Sequence, residues 1–177
     1  MRSYVKNIIK LKLNWYALHT NSRAEKQVHE RLQKQGYESF LPLITTVKQW
    51  SDRKKKVVVP LISSYVFMQG TAKDLLAVVK VQGVVAVLKH LGKPAIVQEV
   101  EINNLKILTK NSEGTKKVDA FKLANLTNVE VIAGPFIGLK GSYIETSGMH
   151  KVVVQVDVLN SFTEVTLPFE HIKEIGK

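Results

Sequence analysis

The sequence predicts an α+β protein with an N-terminal antiparallel sheet flanked by helices and a small C-terminal β-barrel. Two observations predict this. Up to about residue 110, extended apolar runs alternate with stretches whose apolar residues recur at helical spacing. After residue 120, short β-branched segments follow one another, separated by Gly-Pro, Ser-Gly and Asn-Ser turns.

The first elements are a strand and a helix. Trp15 to Thr20 is predicted to be a short strand. Ser22-Arg23-Ala24-Glu25 matches the S-x-x-E capping box, so we expect a helix to begin there. Ala24, Val28 and Leu32 form one apolar stripe on this helix, and Gly36 is expected to end it.

A hairpin with a basic tip follows the helix. Tyr37 to Trp50 and Lys56 to Gly70 are both predicted to be extended. Ser51-Asp52-Arg53 is typical of a turn, so we expect the two stretches to pair in an antiparallel hairpin. The segment Lys48 to Lys56 is strongly cationic and contains one Trp.

The apolar run Val57 to Gly70 carries two aromatic residues. Tyr65 and Phe67 are two positions apart, so on a strand they project from the same face. We interpret them as an exposed binding surface. The alternative is that they face the core, with Val66 and Met68 outward.

Three further elements complete the first half of the chain. A cap-like signal at Thr71 to Asp74 predicts a short helix that ends before Gly83. Val84 to Leu88 is predicted to be a strand, and Gly92-Lys93-Pro94 a turn. Another helix is predicted after Gln98 from the spacing of three apolar residues: Ile102, Leu105 and Leu108.

Residues 110–120 lose periodicity, and we predict that they are an interdomain linker. The chain is therefore divided into an extension (1–13), a first domain (14–109), this linker and a second domain (121–177). The strands predicted in the second domain are 129–133, 141–146, 151–159, 163–167 and 171–175. The alternating β-branched run Lys151 to Val158 favours a permanent barrel with no helical form.

The positive charge is concentrated at the N-terminal end. Of the net charge of +11, residues 1–60 hold 13 Lys and Arg against 4 Asp and Glu, a net of +9. Residues 121–177 hold 5 against 6, a net of −1. This asymmetry predicts that the N-terminal part meets a polyanion and the C-terminal part does not. The alternative is a solvated basic face without a partner.

Nothing in the sequence indicates catalysis. There is no Cys, which excludes disulfides, thiolate metal sites and Cys nucleophiles. The five His lack metal-ligand spacing, and no phosphate-binding loop, nucleophile elbow or dinucleotide fingerprint occurs. We therefore expect no enzyme activity, no cofactor and no metal. Without a signal peptide or a membrane-spanning stretch, a cytoplasmic location is expected.

Several motifs together resemble the NusG-type transcription factors across residues 14–176. In the first half the matching segments are Trp15-Tyr16-Ala17-Leu18, Arg23-Ala24-Glu25-Lys26, Gly36-Tyr37, Phe40-Leu41-Pro42, Val59-Pro60-Leu61, Tyr65-Val66-Phe67, Gly83-Val84-Val85 and Gly92-Lys93-Pro94-Ala95. In the second half, Val129-x-Val131-x-x-Gly134-Pro135-Phe136-x-Gly138-x-x-Gly141 looks like a KOW motif, in which glycines permit the tight turn. The resemblance implies an NGN-like domain followed by an SH3-like KOW barrel.

The resemblance also implies a function. Such factors bind the clamp helices of the largest RNA polymerase subunit, suppress pausing and termination, and recruit ribosomal protein S10 or Rho through the KOW barrel. The polymerase-binding residues would be Trp15, Tyr16, Pro60, Ile62, Tyr65 and Phe67. The contacts to non-template or upstream DNA would be Arg23, Lys26, Arg53, Lys54, Lys55 and Lys56. The partner surface of the barrel would be Phe136, Ile137, Val158 and Leu159. A monomer without membrane contact is expected.

One segment departs from the general family pattern. Where general NusG proteins read Phe-Pro-Gly-Tyr, this chain has Ile62-Ser63-Ser64-Tyr65. Together with the basic tip, this favours a specialised paralogue of the RfaH type, which antiterminates particular operons, often for surface polysaccharide. Two alternatives remain: a housekeeping NusG-type factor, and a KOW-containing protein that binds RNA or the ribosome.

Overall fold

The computed structural model describes residues 12–50, 52–111, 115–118 and 126–176. Residues 1–11 of the predicted extension, Ser51 of the predicted turn, and residues 112–114 and 119–125 at the predicted domain boundary lie outside the described residues. We call residues 12–111 the N-terminal unit and residues 115–176 the C-terminal unit.

The N-terminal unit is built on an antiparallel sheet of order β2-β5-β1-β6, and β9 also pairs with β1. Strands β3 and β4 form a separate hairpin, as do β7 and β8. The strands are β1 (Asn14–Thr20), β2 (Glu38–Phe40), β3 (Leu43–Gln49), β4 (Lys54–Pro60), β5 (Tyr65–Gly70), β6 (Val84–Val87), β7 (Lys89–His90), β8 (Lys93–Pro94) and β9 (Ile96–Val97). The helices are α1 (Glu25–Lys34), α2 (Asp74–Val78) and α3 (Glu99–Lys110).

Both faces of this sheet are buried. Val66 and Met68 pack with Val28 and Leu32 of α1 on one face. Phe67 packs on the other face, where α3 contributes its apolar residues. Because alternate strand residues point to opposite faces, the segment is apolar at nearly every position. The predicted exposed aromatic surface is therefore wrong for this conformation: Phe67 is fully buried and Tyr65 is half-buried.

The end of α1 confirms one prediction, and its start corrects another. Gly36 has a φ of +84°, and the Tyr37 N–H donates to the Leu32 carbonyl, so Gly36 ends the helix as predicted. The predicted Ser22 capping box does not form. Ala24 is the N-cap residue, without a side-chain cap, and Glu25 bonds elsewhere in the fold.

The predicted hairpin exists, but its strands are shorter than predicted. Strands β3 and β4 pair from Leu43↔Pro60 to Gln49↔Lys54, with the basic residues at the closed end. The first predicted stretch is interrupted at Leu41-Pro42, and the second at residues 61–64. The first interruption separates the hairpin from β2, which precedes it, and the second separates it from β5, which follows it; β2 and β5 belong to the main sheet.

The C-terminal unit is a six-stranded antiparallel sheet of order β10-β14-β13-β12-β11-β15. Its strands are β10 (Thr115–Val118), β11 (Thr127–Val131), β12 (Lys140–Thr146), β13 (Met149–Val156), β14 (Ser161–Thr166) and β15 (Ile172–Glu174). Five of these match the predicted strands. Strand β10 lies inside the predicted linker and pairs with β14. The α+β fold class is confirmed.

The two units pack against each other through α3. One hydrophobic cluster contains Trp15 and Phe67 of the N-terminal unit together with Phe136 and Leu139 of the C-terminal unit. The 3₁₀ turn at Asp157–Leu159 lies beside β9, and β13 lies along α3. Helix α3 therefore packs against the N-terminal sheet on one side and against the C-terminal unit on another.

Candidate functional site

The six residues predicted to bind polymerase do not share one surface. Trp15, Ile62 and Phe67 belong to the cluster on the α3 side, and Tyr65 packs against it. Tyr16 lies on the opposite face of the sheet, as alternation along β1 requires. Pro60 lines a cleft at the base of the hairpin. The structure therefore assembles four of the six residues into one aromatic face.

That aromatic face is covered in this conformation. The exposed fractions of Trp15, Ile62 and Phe67 are 5%, 4% and 0%. Helix α3 covers part of it, and the Lys106 ammonium lies 5.3 Å from the centre of the Trp15 ring, within cation–π range. The same hydrophobic cluster continues into the C-terminal unit.

The turn before β5 is left-handed at Ser64, within the segment that departs from the general family pattern. Ser64 has a φ of +63°, a left-handed conformation that favours Gly. The Glu25 carboxylate accepts a hydrogen bond from the Ser64 N–H at 2.7 Å, and the Ser64 carbonyl accepts one from the Thr20 N–H at 2.8 Å. These two bonds hold the strained residue, and Glu25 is buried as a result.

Polar side chains of α3 bond directly to the backbone of the C-terminal unit. The Asn104 amide donates to the Lys140 carbonyl at 2.7 Å, and the Lys140 N–H donates to the Asn104 oxygen at 3.0 Å. The Asp157 N–H donates to Glu101 Oε1 at 2.7 Å, while Oε2 of the same carboxylate caps α3 by accepting from the Gln98 N–H. Both side chains are buried, so these bonds are partly shielded from water, although Lys140 and Asp157 themselves are exposed.

The predicted nucleic-acid residues lie in two neighbouring places. Arg23 and Lys26 line a cleft of about 490 Å³ at the start of α1, which Lys48 of the hairpin also lines. Arg53, Lys54, Lys55 and Lys56 are exposed at the closed end of the hairpin. Among the described residues, the one ion pair in these two places joins Arg53 to Asp52, at 3.6 Å and well exposed.

The predicted partner surface of the C-terminal unit is divided. Phe136 is buried in the shared cluster, and Val158 and Leu159 pack against it. Ile137 is 62% exposed. A second aromatic group lies at the β12–β13 hairpin, where the Tyr143 hydroxyl and His150 Nδ1 are 2.7 Å apart and Phe169 packs against both rings. Desolvation and the nearby Glu145 carboxylate raise the pKa of Tyr143.

Sequence reasoning missed four residues that the structure brings into these places. Glu101 and Asn104 join the two units, and Lys48 and Trp50 belong to the basic hairpin. The cationic segment itself could have identified the last two. No sequence signal pointed to Asn104, because an Asn in an apolar helix pattern does not indicate its partner.

Within the described ranges, no group of three or more His, Asp or Glu side chains is arranged to hold a metal ion. No helix in those ranges is long and apolar enough to cross a membrane. The arrangement consists of an aromatic face, a basic cleft with its hairpin, and a polar join between two units.

Comparisons with known proteins identify the family. The family model described as transcription termination factor NusG matches residues 13–106, just over half of the chain. The chain belongs to the NusG family of transcription termination/antitermination factors. The predicted resemblance is thereby confirmed.

Individual relatives agree along nearly the full length. The transcription termination/antitermination protein NusG of Rickettsia bellii is 27% identical over 172 residues, covering 90% of this chain and 89% of the relative. The Rickettsia felis protein of the same description is 27% identical over 176 residues, with the same coverage. A solved structure that concerns domain interaction in Thermotoga maritima NusG has a TM-score of 0.50 at 23% identity. It covers 93% of this chain and 98% of its own, and it supports the fold.

Proposed function

We propose that this chain is a transcription elongation and antitermination factor that binds RNA polymerase through its N-terminal unit and suppresses pausing and termination. The observation that carries the proposal is the aromatic face formed by Trp15, Ile62, Tyr65 and Phe67 in a chain of the NusG family. A large apolar face assembled from aromatic side chains suits a protein partner. The proposed partner site is the clamp helices of the largest polymerase subunit.

The basic residues and the C-terminal unit have separate roles in the proposal. Arg23, Lys26 and the basic residues 53–56 contact upstream or non-template DNA beside the bound polymerase. The C-terminal unit, with a net charge near zero, recruits a protein such as ribosomal protein S10 or Rho. The factor acts in the cytoplasm as a monomer and without catalysis.

We further propose a specialised, operon-specific role over a housekeeping one. The Ile62-Ser63-Ser64-Tyr65 segment supports this, because a smaller apolar side chain at residue 62 and the missing Pro change the contact surface. In vitro transcription across several leader regions tests the distinction. A specialised factor increases read-through on a subset of templates, whereas equal read-through on all of them contradicts this role.

The docking face is tested by retention of host RNA polymerase on the immobilised full-length protein. Tyr65→Ala removes a half-buried ring from the proposed face, and we expect retention to fall about tenfold or more, as for an interface hot spot. Tyr37→Ala is the matched control, because Tyr37 is also half-buried but packs on the opposite side of the sheet. Equal retention by the two variants contradicts the proposed face.

A further inference from the structure

We propose that one face of the β3–β4 hairpin binds single-stranded DNA, with Trp50 stacking on an unpaired base and Lys48 and Lys55 holding a phosphate. This names the ligand and the contacts of the nucleic-acid site proposed above and rests on that function. Trp50 and Lys48 belong to the cationic segment noted in the sequence but were not among the residues predicted to contact nucleic acid.

The register of the hairpin assigns each side chain to a face. Residues directly opposite each other in an antiparallel pair point to the same side. Lys48 is opposite Lys55, and the Trp50 N–H donates to the Arg53 carbonyl at 2.8 Å across the turn. These four residues therefore share one side, which we call the tryptophan face. The next pairs, Val47↔Lys56 and Gln49↔Lys54, occupy the opposite face.

Trp50 is placed to stack on a base. It is 49% exposed, whereas the other Trp of the chain, Trp15, is 5% exposed. The Lys55 ammonium lies 5.2 Å from the centre of the Trp50 ring, so a cation is held beside the aromatic platform. Exposed aromatic rings beside Lys or Arg are the combination that binds single strands, because every unpaired base presents a π-face.

Lys48 and Lys55 lie directly opposite each other, an unfavourable arrangement of two positive charges that a bound phosphate would stabilise. Like charges directly opposite each other destabilise an antiparallel pair. Among the described residues, no carboxylate forms an ion pair with either ammonium. A phosphate bound between the two ammonium groups would relieve their repulsion. Departures from local rules of this kind are expected at functional sites.

The tryptophan face continues into the basic cleft. Lys48 and Val59, which lie on the same side of the hairpin, line the cleft together with Arg23 and Lys26. Glu25 also lines it, but its carboxylate already accepts the Ser64 N–H. A strand whose base stacks on Trp50 can therefore extend from the hairpin tip towards the start of α1 along a cationic surface.

Several observations favour a single strand of DNA over other ligands. The bases of a duplex are stacked on one another and offer no face to Trp50, so a duplex cannot use the platform. An acidic protein segment would use the lysines but not the ring. Beside a transcribing polymerase, the proposed function places the displaced DNA strand within reach, and we commit to that source rather than RNA.

The first test measures fluorescence anisotropy of a labelled oligothymidylate of about 15 nucleotides, near the upper site size of one binding module, with the full-length protein. We expect Trp50→Leu to weaken binding about tenfold and Trp50→Phe to stay within about threefold, since Phe retains a stacking ring. Circular dichroism checks that the variants are folded. Unchanged binding by Trp50→Leu would overturn the proposal.

The second test compares the two faces at equal charge. Lys48→Gln/Lys55→Gln removes two charges from the tryptophan face, and Lys54→Gln/Lys56→Gln removes two from the opposite face. For the first variant we expect weaker binding and a salt dependence whose slope is smaller by about 0.7, the value for one phosphate contact on a single strand. For the second variant the slope stays near that of the wild type. Equal losses would show that charge alone acts and would overturn the proposal.

Further measurements identify the type of ligand and show whether a failure of this proposal also affects the proposed polymerase binding. Quenching of Trp emission by the oligonucleotide is expected in the unmodified protein, and its absence at saturation would overturn stacking. Tighter binding of the matching duplex, of oligouridylate RNA or of an acidic peptide would overturn the assignment to single-stranded DNA. Polymerase retention by Trp50→Leu is expected to equal that of wild type, so failure here leaves the polymerase proposal unaffected.

Discussion

At the scale of single residues, Ser64 adopts a left-handed conformation that normally favours Gly. Its φ of +63° places a β-carbon in a conformation that costs about 1–2 kcal/mol in a residue other than Gly. Two hydrogen bonds, from its N–H to Glu25 and from Thr20 to its carbonyl, hold the residue in that conformation. The turn is thus maintained by its neighbours rather than by its own preference.

This predicts that Ser64→Gly stabilises the protein. The substitution removes the left-handed strain, and after the larger entropy of Gly in the unfolded chain is subtracted, we expect the free energy of unfolding to rise by about 0.5–1 kcal/mol. Ser63→Gly is the matched control, because the φ of Ser63 is not positive and this change is expected to destabilise by a similar amount. Urea denaturation measures both. Equal shifts for the two variants would contradict the role given to Ser64.

At the scale of elements, the helices and strands whose sequence signals lie within a single element were predicted well. Gly36 ends α1, three apolar residues at spacing three mark α3, and alternating segments mark the strands of the C-terminal unit, because each signal lies within one element. The capping box at Ser22 failed because Glu25, its expected second member, bonds to Ser64, far along the chain. A contact that depends on tertiary packing leaves no signal in a window of four residues.

Glu101 serves two elements at once. One carboxylate oxygen caps α3 through the Gln98 N–H at 2.6 Å, and the other accepts the Asp157 N–H of the C-terminal unit at 2.7 Å. We expect Glu101→Ala to lower the free energy of unfolding by about 1–3 kcal/mol, the combined effect of a lost cap and of a part-buried Asp157 N–H left without its partner.

Glu99→Ala is the control for that prediction. It also removes a carboxylate from the first turn of α3, but from an exposed position, and we expect it to cost less than about 1 kcal/mol through the helix dipole alone. Thermal unfolding followed by circular dichroism compares the variants. Similar losses for both would show that the helix dipole, rather than the two hydrogen bonds, explains the effect.

At the scale of the whole molecule, the central fact is that one hydrophobic cluster spans both units. The sequence predicted each unit separately but not their packing. Part of the contact is made by Asn104, a polar residue within an otherwise ordinary helix pattern, with backbone groups of Lys140, which carry no sequence signal. Helix α3 and this contact together bury the aromatic face that was predicted to be exposed.

The proposed polymerase contact and the packing of the two units use the same region of the N-terminal unit. Trp15, Ile62 and Phe67 cannot reach a partner while the shared cluster is intact. On the proposed function, polymerase binding requires the free energy of separating the units, and we expect a variant that weakens their packing to bind polymerase more tightly.

Asn104→Ala tests this coupling. It removes two hydrogen bonds and leaves the Lys140 N–H and carbonyl without their partner, which costs the packed state about 1–3 kcal/mol. We expect polymerase retention to rise about fivefold or more, with a larger radius of gyration in solution scattering. Asn103→Ala, at the neighbouring exposed position, is expected to change neither quantity. A larger radius without a gain in retention would mean that polymerase binds elsewhere, because the region that separation exposes would then not be the one that polymerase contacts.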